Sequence, residues 1–316
     1  MTSQLVWERD GGDWPNRETS RFVETRRLRW HVQLTGSGPV LLLVHGTGAA
    51  THSWRDMLPP LAEHFTVIAP DLPGHGFTER PPPHRLSLPA MADALAELLD
   101  VLELSPELAV GHSAGAAILV RMCLDGRIAP AALVSLSGAL LPLPGLQGHL
   151  FSPVARLLAL TSLTPRLVAW SARDPAMVDR LLAGTGSRLD ARGFDLYARL
   201  ARDRGQIAGA LGMMANWELR DLEAELAHLE TPLVLVAADR DRMISPGHAR
   251  RIRRLLPQAE VVRMPDLGHL AHEERPADAV AIVLDVARAK GILSAERSAA
   301  KAAAGVRAGS RARSAS

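Results

Sequence analysis

Gly111-His112-Ser113-Ala114-Gly115 decides how this chain is read. The five residues follow the apolar run Leu108-Ala109-Val110 and lead into residues 116–124, whose composition suits a helix. Gly-x-Ser-x-Gly between strand and helix marks a sharp turn that holds a serine oxygen exposed at its apex. Glycine is needed there because neighbouring backbone must approach where a side chain would stand. A nucleophilic serine also requires a base to take its proton, an acid to orient that base, and N–H donors for the oxyanion.

Each part has a candidate. The apolar run 40–44 leads directly into His45-Gly46-Thr47-Gly48, a strand-to-loop position that suits oxyanion donors; Thr47 N–H and Ala114 N–H are the expected pair. Past the apolar run 233–238 come Asp239-Arg240-Asp241-Arg242. Asp241 is the expected acid because a loop excursion is needed to reach the base. Asp239 is the alternative, with a turn-capping or salt-bridged role as its simpler use. A last strand, Val261-Val262-Arg263-Met264, is followed by Asp266-Leu267-Gly268-His269, which makes His269 the expected base. His272 competes, but it lies beyond the glycine turn beside Glu273 and Glu274 and reads as a supporting or surface residue. His112 should pack under the turn, and the loop 71–76 should be structural.

The apolar runs 40–44, 65–69, 108–110, 131–136 and 233–238 are continuous, as expected of strands buried on both faces of a parallel sheet. Helical patterns at 53–63, 88–102, 113–124, 246–256 and 276–290 alternate with them, which gives an α/β class with a doubly wound, mostly parallel sheet. Residues 21–25 and 28–34 alternate and form an antiparallel pair at the start. Between about 138 and 230 there is helical periodicity and proline but no strand pattern. The expected organisation is therefore a core from 1–138, a helical cap from 139–230, the rest of the core from 231–290 and a disordered basic tail from 291–316.

Composition excludes several classes. Seven Lys and Arg against one acid in residues 288–316 make the whole chain basic, whereas residues 1–287 carry four more acids than bases. The tail is Ala/Ser/Arg/Gly-rich and reads as solvated, so no specific nucleic-acid partner is expected. A single cysteine, Cys123, excludes an internal disulfide framework and fits a cytoplasmic protein as a structural thiol. No signal-peptide pattern and no apolar run of membrane-spanning length is seen, which leaves only peripheral membrane contact. No metal-ligand spacing, Walker motif or dinucleotide fingerprint is present, so neither metal nor cofactor is expected. The cap is strongly apolar, and its Met213 and Trp217, with His45, Gly46 and Trp54 of the core, are the expected substrate contacts around a hydrophobic pocket.

Together, the order Ser113, Asp241, His269 and the His45-Gly46 loop ahead of them resemble the α/β-hydrolase superfamily over residues 20–290. A narrower resemblance rests on Asp13-Trp14-Pro15-Asn16-Arg17, Ser20-Arg21-Phe22-Val23, Leu28-Arg29-Trp30-His31-Val32-Gln33, the loop 45–54, the segment 69–78 and the elbow. These stretches are similar to the magnesium-chelatase accessory family of bacteriochlorophyll biosynthesis. That resemblance implies a role near magnesium insertion into a porphyrin, a tetrapyrrole or other hydrophobic small molecule as ligand, and magnesium-chelatase subunits as partners. Two functions are compatible with it: a serine hydrolase of esters or related acyl bonds, and a non-catalytic binding protein on the same scaffold. Aspartate-nucleophile chemistry is disfavoured, because Ser113 stands where those relatives carry aspartate.

Overall fold

The computed structural model describes residues 5–142, 161 and 163–293. Residues 294–316 of the expected basic tail and the apolar stretch 143–160 lie outside the described residues, whereas Ile292 and Leu293, expected in the tail, are buried against the core. Eight strands form one sheet: β1 (Ser20–Glu24), β2 (Arg29–Gly36), β3 (Val40–Val44), β4 (Thr66–Pro70), β5 (Leu108–His112), β6 (Ala132–Leu136), β7 (Leu233–Ala238) and β8 (Glu260–Met264). Their order is β1-β2-β4-β3-β5-β6-β7-β8. β1 and β2 pair antiparallel, β2 runs antiparallel to β4, and the strands from β4 to β8 are parallel.

The continuous apolar runs are explained by burial from both sides. In β3, Leu42 and Val44 face one apolar layer while Leu41 and Leu43 face the other, as the two-residue period of a strand requires. The first layer is closed by the helices Leu88–Val101 and Ala114–Leu124, and the second by Leu58–Ala62 and Pro276–Ala289. Edge strand β1 keeps no fully buried residue.

The helix expected over 53–63 is divided into a 3-10 turn, Thr51–Trp54, and the helix Leu58–Ala62. Pro59 and Pro60 account for the break, since proline lacks the N–H that would continue a helix through that point but is favoured in a first turn.

Between β6 and β7 the described residues form the helices Thr164–Ser171, Pro175–Gly184, Ala191–Arg202, Arg204–Ala215 and Arg220–Glu225. This helical insertion rests on the ends of the strands. The N-terminal segment is wedged beneath it: Leu5 and Trp14 pack with Phe77, Leu196 and Leu200, and Arg199 pairs with Asp13 at 2.7 Å.

Candidate active site

β5 ends at His112 and the next helix begins at Ala114, which leaves Ser113 alone on the turn with φ 50° and ψ −116°. That positive φ is unusual for a residue with a side chain and is held by its surroundings. Ser113 N–H donates to Leu136 O at 3.0 Å, and Ser113 O accepts from Ala116 N–H and Ala139 N–H. Both glycines have a steric reason. A Cβ on Gly111 would stand 2.5 Å from Ala116 N, and one on Gly115 would collide with the carbonyl oxygens of Val44 and His45.

The acid and the histidine meet from the loops after β7 and β8. Asp241 Oδ2 lies 2.9 Å from His269 Nδ1, while Asp241 Oδ1 accepts from the N–H groups of Met243 and Ile244 at 2.8 Å each. A proton on Nδ1 directed at the carboxylate leaves Nε2 as the basic nitrogen. Asp239 is engaged elsewhere, in a pair with Arg263 at 2.8 Å near the surface. His269 and Ser113 line one cavity of about 380 Å³. Thr47 and Ala114 line it too, and none of the hydrogen bonds among the described residues uses either of their N–H groups. The Thr47 loop runs directly against the elbow, since a Cβ on Gly46 would be 2.9 Å from Ser113 Cβ.

The cavity wall includes Leu181, Leu200, Ile207, Met214, Trp217 and Ile244. Among the described residues it contains no Asp, Glu, Lys or Arg. The expected substrate contacts are corrected at four positions. Trp54 is fully buried and packs on His272, with ring centroids 5.0 Å apart, on the far side of the catalytic loop. Met213 is turned away from the cavity and its Sδ accepts from Thr47 Oγ1 at 3.3 Å; its neighbour Met214 faces inward instead. His45 is buried behind the oxyanion loop, where its Nε2 accepts from Leu72 N–H and its Nδ1 donates to Gly46 O. Burial pushes its imidazole down, so it is a neutral strut. Gly46 is pressed against the elbow rather than lining the cavity.

Behind the site lies a polar cluster that sequence inspection did not resolve. His272 is buried, not at the surface, and its Nε2 stands 2.9 Å from Ser53 Oγ. Ser53 donates to Glu273 Oε1, which also accepts from Tyr197 OH, while Arg55 donates to Glu273 Oε2. Burial raises the Glu273 carboxyl, opposed chiefly by the Arg55 charge. His112 does not merely sit under the turn: it lines the cavity, stacks near His269 and His272, and its Nε2 donates to His269 O at 3.0 Å. Burial, then the neighbouring imidazoles, hold His112 well below the usual histidine range and therefore neutral. The loop 71–76 is anchored by Asp71, which binds His31 Nδ1 at 2.7 Å and accepts from Thr51 and Phe77 N–H.

The insertion also grips the Asp241 and His269 loops directly. Thr185 O accepts from Arg242 N–H and His269 N–H, and Ser187 Oγ accepts from Leu270 N–H. Tyr197, Thr185 and Ser187 were missed because their partners lie far away in sequence. The available signal, a lone tyrosine or a Thr-Gly-Ser turn, carries no chemical pattern. No group of three or more metal-ligating side chains is gathered among the described residues, and no helix among them is long and apolar enough to cross a membrane.

Known proteins match this arrangement. The "Magnesium-chelatase 30 kDa subunit" of Rhodobacter capsulatus is 36% identical over 275 residues, covering 86% of this chain and 96% of that one. An uncharacterised protein of Mycobacterium bovis is 38% identical over 103 residues, 33% of this chain and 30% of its own length. Among solved structures, an alpha/beta hydrolase fold protein from Burkholderia ambifaria superposes with a TM-score of 0.70 at 25% identity, over 84% of this chain and 99% of that one. The family model of the alpha/beta hydrolase fold matches residues 39–276, the span that runs from the first parallel strand through the histidine loop. By its strand order, its elbow and this match, the chain belongs to the α/β hydrolase fold family.

Proposed function

We propose that the protein is a serine hydrolase for an uncharged, hydrophobic ester or related acyl compound. The observation that carries this reading is the Asp241–His269 contact of 2.9 Å, made by a histidine that lines the same apolar cavity as Ser113. In this reading Ser113 Oγ attacks the acyl carbon as His269 Nε2 takes its proton. Asp241 stabilises the imidazolium, and the N–H groups of Thr47 and Ala114 receive the oxyanion. The proton then passes from His269 to the leaving alkoxide and an acyl-enzyme forms. Water, deprotonated by the same imidazole, releases the acid and restores Ser113. No cofactor is required by these steps. The wall formed by the described residues carries no Asp, Glu, Lys or Arg, which favours neutral substrates, since an ionised group would lose its hydration there without a partner.

Similarity to the Rhodobacter capsulatus subunit supports a place for this reaction beside magnesium chelation in bacteriochlorophyll formation, with a tetrapyrrole or another bulky hydrophobic molecule as ligand and chelatase subunits as partners. The same similarity favours a second reading, a non-catalytic accessory that binds porphyrin or chelatase, because that relative is named for the chelatase and not for hydrolysis.

Labelling with a fluorophosphonate, combined with pigment measurements in cells lacking the native gene, separates the two. The hydrolase reading expects wild type to label, Ser113→Ala not to label, and pigment to return only with wild type. Unlabelled wild type together with full pigment in Ser113→Ala cells would overturn it in favour of the binding protein.

A further inference from the structure

The helix Arg204–Ala215 of the insertion carries a buried polar side chain, Gln206, only 2% exposed. Its Nε2 donates to Gly48 O at 3.0 Å and to Ala49 O at 3.3 Å, and its Oε1 accepts from Gly76 N–H at 2.7 Å. One amide therefore joins the oxyanion loop, the loop after β4 and the insertion. Other contacts fix the same helix in place. Asp203 Oδ1 accepts from Gln206 N–H at 2.7 Å as an N-cap, Thr47 Oγ1 donates to Met213 Sδ, and the helix backbone at Gly209 touches Gly74 with no space for a Cβ.

We propose that Gln206 is a positioning residue for the oxyanion site. It holds residues 46–49 so that Thr47 N–H faces the cavity, and the oxyanion site is complete only while this helix is seated. The inference rests on the hydrolase reading for its catalytic consequence. The tether itself is a property of the fold. Glutamine suits the position because it is both donor and acceptor. Glutamate of the same length keeps the acceptor for Gly76, but when ionised sets a charge against two carbonyl oxygens. Methionine fills the space and does neither.

The test compares full-length wild type, Gln206→Glu and Gln206→Met. Hydrolysis of p-nitrophenyl butyrate gives kcat and KM, and amide hydrogen exchange follows the peptide covering residues 44–52. In Gln206→Glu kcat should fall roughly 10- to 100-fold, less than for outright loss of an oxyanion donor, with KM within about threefold. Exchange across 46–51 should rise while β5 stays protected, and Gln206→Met should show the same pattern, which covers the case that the glutamate variant does not fold. Unchanged exchange across 46–51 in the folded variants, or a raised KM with kcat unaltered, would overturn the proposal. A wild type inert toward both the ester and a fluorophosphonate would refute the hydrolase reading instead, and the exchange data would still decide the tether.

Discussion

The floor of the active site and its roof are built on different physical principles. The floor consists of parallel strand ends, where Ser113 and Asp241 follow buried apolar runs by a few residues and His269 follows the mostly exposed edge strand β8. Its precision comes from close backbone packing, as the contacts of Gly115 with Val44 and His45 show. The roof is a set of helices that packs on Phe77 and the N-terminal segment and reaches the loops below through polar contacts: Gln206 to the Gly46–Ala49 loop, Tyr197 to Glu273, and Thr185 and Ser187 to the Asp241 and His269 loops. The floor therefore places the candidate groups, and the roof holds the loops that carry them. Under the proposed hydrolase reading, an insertion attached in this way is part of the frame of the site as well as a cover over it.

The largest effect should come from the floor's chemistry. Asp241→Asn keeps the shape of the side chain but alters what His269 Nδ1 faces, and kcat should fall by roughly 10⁴ in an esterase assay. Asp239→Asn removes only a near-surface ion pair with Arg263, worth about 1 kcal/mol at most, and should leave kcat unchanged. Equal losses in the two variants would break the assignment of the acid.

Packing of floor and roof should separate in urea denaturation. Gly115→Ala drives a methyl group into carbonyl oxygens that cannot move away, and should cost about 1–3 kcal/mol of global stability. Tyr197→Phe removes one hydrogen bond to a buried carboxylate, a loss of about 1–2 kcal/mol. Its signature should be local, with faster hydrogen exchange in helix Ala191–Arg202 than in β5. Uniform exchange across both would argue against a separately tethered roof.

The smallest effect is in the pH dependence, where two signs oppose. Burial pushes His52, His75 and His272 down to about 3, so the folded protein resists protonation that the unfolded chain accepts from 6.5 downward. Stability from these groups is present above 6.5 and is lost as pH falls toward 3. Asp203 behaves oppositely: burial raises it to about 6, so the folded state binds its proton more tightly and stability declines as pH rises from 3.8 to about 6. Asp203→Asn keeps an N-cap and removes that term. The variant should therefore lose melting temperature more steeply than wild type between pH 6 and pH 4; a shallower loss would refute the Asp203 assignment.

Legibility follows the same division. Strand positions could be read because a run buried on both faces must be apolar throughout, and β3 and β7 fall where those runs lie. Ser113 and His269 could be picked out because turn glycines mark them locally. Met213 was mistaken for Met214 because one residue along a helix turns a side chain through about 100°, so the facing residue depends on how the helix is seated. Trp54 looked like a pocket residue because a large aromatic beside the His45 loop suits either a wall or a core, and it is buried in the core. Gln206 and Gly48 stand 158 positions apart, beyond any local pattern.

The sequence by itself determined the alternation of strand and helix, the sharp serine turn, and the candidate residues in chain order, Ser113, Asp241 and His269, because each depends on the polarity and backbone preference of neighbouring residues. Only the tertiary structure decided which aspartate meets His269, which of the described side chains line the apolar cavity, and how the insertion holds the Gly46–Ala49 loop. The Asp241–His269 and Gln206–Gly48 contacts rest on atoms about 3 Å apart in space and 28 and 158 residues apart in the chain, and folding alone brings such atoms together.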